Sequence, residues 1–129
     1  MDSKGEARKV LLIEDDVLIS DILARKLSHS GLHVLHAASG PAAFAILEKG
    51  ERPDVVLLDL ILPGMDGFEI LKKLKADKEY AAIPVIILSN VDEQKEIDRA
   101  KDLGALDFLV KVSVPLEEVV KRVQSICKV

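Results

Sequence analysis

The chain has little of what many small proteins lean on. Among 129 residues there is one cysteine, no tryptophan and only four aromatic side chains, Phe44, Phe68, Tyr80 and Phe108. A single thiol, Cys127, excludes an intramolecular disulfide framework and a cysteine-built zinc site, and it fits a reducing compartment. So few aromatics offer no platform for stacking bases. With 18 Lys+Arg against 22 Asp+Glu the net charge is -4, not the basic footprint of a nucleic-acid binder, so no direct nucleic-acid contact is expected. No apolar run nears the roughly 20 residues a membrane span needs. The longest, Ala81 to Leu88, is interrupted by Pro84. The opening Met-Asp-Ser-Lys-Gly-Glu-Ala-Arg carries no apolar signal segment. A cytoplasmic protein without a membrane partner is expected.

What is present suits one globular domain. Hydrophobic residues make up 49% and charged residues 31%, far from the low-hydrophobicity signature of disorder. A chain of this length forms a single domain and buries about two-thirds of its unfolded surface. Residues 1–9 read as a flexible lead-in and 10–129 as the domain.

Two kinds of segment alternate. Apolar, β-branched runs stand at Val10–Ile13, Leu32–Ala37, Val55–Leu58, Val85–Leu88 and Leu106–Val110. Between them lie stretches of helical period: Val17–Ser30, Ala42–Lys49, Phe68–Leu74, Asp92–Leu103 and Leu116–Cys127. Gly104 reads as a C-terminal cap, and Pro115 stands at a helix start, where a missing N–H costs little. The first, third and fourth runs are apolar throughout rather than alternating, as in parallel strands covered on both faces. The expected fold is α/β: a five-stranded, parallel, doubly wound sheet with five helices, (βα)5.

In an open parallel sheet, functional groups collect beyond the carboxyl ends of the strands. Glu14-Asp15-Asp16 follows the first strand, Asp59 the third, Ser89-Asn90 the fourth and Lys111 the fifth. Carboxylates brought together repel one another, so such a cluster calls for a cation. All-oxygen donors suit a hard ion such as Mg2+, which takes one or two carboxylates together with phosphate oxygens. A carboxylate can attack phosphorus to give an acyl phosphate. The metal and a lysine would then neutralise the transferring group while a hydroxyl donates to its oxygens.

The motifs stand in a telling order: Glu14-Asp15 after the first strand, then Asp59 in Val-Val-Leu-Leu-Asp-Leu-Ile-Leu-Pro-Gly-Met-Asp-Gly. Ser89 follows Pro-Val-Ile-Ile-Leu, and Lys111 follows Gly-Ala-Leu-Asp-Phe-Leu-Val. From Val10 to nearly its end the sequence resembles a receiver domain of the two-component response regulators, whose topology is flavodoxin-like. The resemblance implies Asp59 as phosphoacceptor and Asp15 as a direct Mg2+ ligand. It implies Glu14 as a water-mediated ligand and the Ile61 carbonyl as a further one. Ser89 would be the switch hydroxyl, Lys111 the positive partner of the phosphoryl group, and Phe108 the aromatic that moves with the hydroxyl. The implied donor is a phosphohistidine on a sensor histidine kinase or a histidine phosphotransfer protein. The implied output surface is the face formed by the fourth helix, fifth strand and fifth helix, and a homodimer is left open.

Two departures from the family pattern matter. Lys111 is followed by Val112, whereas the family commonly has proline there, often after a cis bond. A cis bond before a non-proline residue costs roughly 2.5–4 kcal/mol, so a trans Lys111–Val112 bond is expected. Ile61 and Val91, two residues after Asp59 and Ser89, stand where the family flanks the path of the attacking water. Neither can hydrogen-bond it, so a slow loss of the phosphoryl group is expected.

Several residues also have plainer readings. Asp16 reads as a helix N-cap, Ser89-Asn90 as an N-cap for the following helix, and Asp66-Gly67 as turn chemistry. His29, His33 and His36 are expected away from the acidic edge, and Lys72, Lys73, Lys75 and Lys78 on a solvated face. Cys127 is expected to pack in the last helix. The alternatives to a phosphoacceptor are a pseudo-receiver that only binds a partner and an aspartyl-phosphate phosphohydrolase. The second usually has another Asp two residues after the nucleophile, where Ile61 stands here.

Overall fold

A computed structural model describes residues 7–128. Five strands and five helices alternate: β1 (Arg8–Ile13), α1 (Val17–His29), β2 (Leu32–Ala37), α2 (Gly40–Glu48), β3 (Val55–Leu58), α3 (Gly67–Ala76), β4 (Val85–Ser89), α4 (Gln94–Asp102), β5 (Asp107–Val110) and α5 (Leu116–Cys127). All strands pair in parallel, in the order β2-β1-β3-β4-β5. The expected doubly wound (βα)5 sheet is the observed one.

The packing follows from the two-residue period of strands. In β1, Leu11 and Ile13 face one way, joining Val56, Leu58, Val85 and Ile87 beneath α2, α3 and α4. Val10 and Leu12 face the other, joining Val55, Leu57, Ile86 and Leu88 beneath α1 and α5. Both faces are therefore dry, and every residue of β3 and β4 is buried. Cys127 is a free, buried thiol in the second cluster, and burial raises its pKa.

Boundaries differ where hydrogen bonding extends an element past its apolar stretch. β1 begins at Arg8, because Arg8 and Lys9 pair with Leu32 and His33. The expected lead-in thus overlaps the strand at those two residues, and its first six lie outside the described ones. α3 starts at Gly67 under a full capping box, in which Asp66 and Glu69 each accept from the other's backbone N–H. Asp66 is therefore a cap rather than part of a simple turn. α4 starts at Gln94 rather than Asp92, with Glu93 before it making no side-chain cap bond. Ser89 does not cap α4: it stays in the sheet opposite Val110, and its carbonyl accepts from Lys111 N–H at 3.0 Å.

Gly104 does close α4, with φ +108, a conformation that side-chain-bearing residues rarely adopt. The stem of Lys75 packs against it. The Lys75 ammonium donates to the carbonyls of Ala81 (3.0 Å) and Ile83 (2.8 Å), so this lysine pins a loop and does not belong to a solvated face. Burial lowers its pKa. No described helix is long and apolar enough to cross a membrane.

Candidate functional site

Glu14, Asp15, Asp59, Ser89 and Lys111 come together at the carboxyl edge of the sheet. With Asp16, Ile19, Ile61 and Asn90 they line a hollow of about 370 Å3. The adjacent strands β1 and β3 end side by side here, with Ile13 opposite Leu58. Backbone bonds then carry the pairing one residue further: Asp59 N–H donates to Ile13 O (3.1 Å) and Glu14 N–H to Ala37 O (3.0 Å). The two carboxylates are thus set by sheet geometry rather than by loop conformation. Asp16 caps α1 by accepting from Ile19 N–H at 3.0 Å, which fixes the turn carrying Asp15.

Oxygens of Glu14, Asp15 and Asp59 lie within 4.8 Å of one another. Glu14 and Asp59 are buried, whereas Asp15 is exposed. Lys111 reaches across from the end of β5. Its ammonium lies 2.6 Å from Glu14 Oε1 and 3.0 Å from Asp59 Oδ2. Burial works against the lysine's charge, but hydrogen bonds and attraction from both carboxylates outweigh it and raise the Lys111 pKa. Glu14 moves up as well, chiefly because it is buried and in lesser part because Asp59 repels its charge; the Lys111 and Asp16 hydrogen bonds offset this only partly. One ammonium shared between two buried carboxylates cannot fully compensate both.

The remaining oxygens are also engaged. Glu14 Oε2 accepts from Asp16 N–H (3.1 Å) and Asp59 Oδ1 from Ile61 N–H (3.4 Å). Ser89 is fully buried, and its Oγ accepts from Val91 N–H at 3.4 Å. Phe108 is not among the residues lining the hollow; half-buried in β5 opposite Ile87, it packs on the cluster beneath α3 and α4. Every peptide bond among the described residues is trans, Lys111–Val112 included.

Sequence reasoning missed two supports of the site. His36 lies next to the acidic edge, not away from it: its Nε2 is 2.8 Å from the Glu14 carbonyl. A carbonyl only accepts, so this ring nitrogen carries the proton. Gly67 is pressed against the segment after β3, where a Cβ would lie 2.4 Å from the Asp59 carbonyl oxygen. The signal for the second was the glycine directly after a capping Asp; nothing in the sequence marked the first.

The three-carboxylate, all-oxygen set fits a hard divalent cation, and a single lysine leaves negative charge for such an ion to balance. Comparisons with known proteins point to one family. The response regulator receiver domain family matches residues 10–124. The sporulation initiation phosphotransferase F of Bacillus subtilis is 42% identical over 80% of this chain and 81% of its own length. The DNA-binding dual master transcriptional regulator RpaA of Synechocystis is 33% identical over 93% of this chain, which spans 49% of RpaA. Among solved structures, the chemotaxis protein CheY4 of Vibrio cholerae superposes with a TM-score of 0.85. It is 30% identical, with 93% of this chain and 98% of that one covered.

Proposed function

The chain belongs to the response regulator receiver domain family, and from that premise we propose that it takes a phosphoryl group onto Asp59 from a phosphohistidine. The observation that carries this is Asp59 itself. It is a buried carboxylate at a strand end, gripped by one lysine and within 4.8 Å of two further acids.

An Asp59 oxygen attacks phosphorus, the new O–P bond forms as the N–P bond of the donor breaks, and the imidazole leaves with the electron pair. Lys111 supplies positive charge beside the oxygen it already contacts. The Ser89 hydroxyl donates to a phosphoryl oxygen once the group is in place. Glu14, Asp15, Asp59 and the Ile61 carbonyl would hold Mg2+, whose charge offsets that of the transferring group.

The donor is a sensor histidine kinase or a histidine phosphotransfer protein. Exposed apolar side chains support a protein donor: Ile61 in the lining itself, and Val17, Leu18 and Val112, which adjoin the lining residues Asp16, Ile19 and Lys111 in the chain. Such a rim is poorly suited to water alone. The phosphorylated domain acts in the cytoplasm as a signalling module, presenting the face of α4, β5 and α5 to a downstream protein.

Mass spectrometry after incubation with acetyl phosphate and Mg2+ tests the reading. One added phosphate that Asp59→Asn abolishes is expected. A protein that stays unmodified while binding a kinase would instead be a pseudo-receiver.

A further inference from the structure

α4 is the most loosely fastened helix of the domain. Only one of its nine residues, Ala100, is buried, against five in α3 and four in α5. Its start lacks a side-chain cap bond. One side chain nevertheless clasps it to a neighbour: the Arg99 guanidinium lies over the Phe68 ring, 4.0 Å from the centroid. Acids surround Arg99 on its own helix (Glu96, Asp98, Asp102), yet among the described residues it pairs with none of them. It rests on the ring instead, an attraction between a cation and the negative face of an aromatic.

Phe68 connects this clasp to the reacting carboxylate. It follows Gly67, whose N–H donates to Leu60 O at 2.9 Å and whose α-carbon abuts the Asp59 carbonyl. Phe68 also shares an apolar cluster with Ala100, Val91, Leu103 and Phe108. A short path of direct contacts therefore runs from Asp59 through Gly67 and Phe68 to α4. Through these contacts a shift of the loop behind Asp59 would bear on the ring on which Arg99 rests.

We propose that Arg99 is a positioning residue, holding α4 against Phe68 in the arrangement where Lys111 grips Glu14 and Asp59. The phosphoacceptor role of Asp59 comes from the function proposed above; the clasp itself does not depend on it. Coupling between two sites is reciprocal. If phosphorylation of Asp59 loosens the clasp, then loosening the clasp favours phosphorylation.

The test compares Arg99→Ala, Arg99→Lys and the unaltered protein. Hydrogen exchange in the alanine variant should be about two- to fivefold faster across α4, the range a surface cation–π contact supports, and unchanged in α1 and α5. Alanine is the better helix former, so a purely local effect would slow exchange. Lysine retains the charge and should restore most of the protection. Initial loading of Asp59 by acetyl phosphate with Mg2+ should rise by a similar factor in Arg99→Ala, and less in Arg99→Lys. Unchanged α4 exchange in Arg99→Ala, or identical behaviour of the two variants, overturns the clasp. Faster exchange with an unchanged loading rate overturns the coupling. If the unaltered protein never takes a phosphoryl group, the proposed function fails, while the exchange result still decides the clasp.

Discussion

Lys111→Met removes the cation that lies between Glu14 and Asp59 while roughly preserving the stem's apolar volume. Two buried carboxylates are then left facing each other. Breaking a buried ion pair by removing one partner costs about 3–5 kcal/mol. The lower end applies here, because the hollow opens beside exposed Asp15 and water can reach the acids. Domains of this kind are stable by about 5–15 kcal/mol, so the variant should still fold.

The sign of the pH dependence follows from Glu14. Burial already raises its folded pKa above the ordinary 4.5, even against the lysine's opposing pull. Its contribution to stability is therefore full below that ordinary value and is lost as pH rises through the raised folded value. Without Lys111 the folded pKa climbs further. The deficit of the variant relative to the unaltered protein should be small near about pH 4 and fully developed near about pH 7.5. Mg2+ at the proposed site would replace the missing charge. At about 100 times its dissociation constant from the variant, the ion should return about 2.7 kcal/mol to the variant. It should return less to the unaltered protein at the same concentration, because there the lysine competes with it. Urea unfolding followed by circular dichroism, at both pH values and with or without Mg2+, measures all three terms. An equal deficit at both pH values, or one indifferent to Mg2+, would refute the reasoning.

Three further outcomes are expected. Ile61→Asn with Val91→Glu should shorten the lifetime of the phosphoryl group on Asp59, read by its decay after the donor is removed; an unchanged lifetime defeats the water-path argument. Gly67→Ala must displace the Asp59 carbonyl oxygen or α3, since its Cβ would lie 2.4 Å from that oxygen. It should lower the unfolding midpoint and slow phosphoryl loading together. Asp66→Ala removes the α3 capping box and should cost about 1 kcal/mol in urea unfolding, with Asp59 loading largely retained.

The sheet was legible because both its faces are covered. Unbroken runs such as Val55–Leu58 have few other uses than a buried parallel strand. The acids were legible because they directly follow such runs, and parallel strands deliver their ends to one edge. Lys111 was harder to place, since its partners lie far along the chain and a lone lysine is ordinarily solvated. Ser89 could be read as a helix cap as well as the switch hydroxyl, because cap chemistry looks the same whether or not the residue stays in the sheet. Its pairing with Val110 decided the matter, and only tertiary structure could show that. Lys75 fits the same account: its carbonyl partners in the following loop are invisible to any helical period.

The sheet also acts as a bulkhead. Side chains of alternate parity drain into two oily compartments that do not mix, and the clasped helix rides on only one of them. Volume can be trimmed or added around Cys127 on the far side without jostling Phe68 or Phe108. Durability and responsiveness can thus be adjusted on opposite sides of a wall four strands of which end at the acidic hollow.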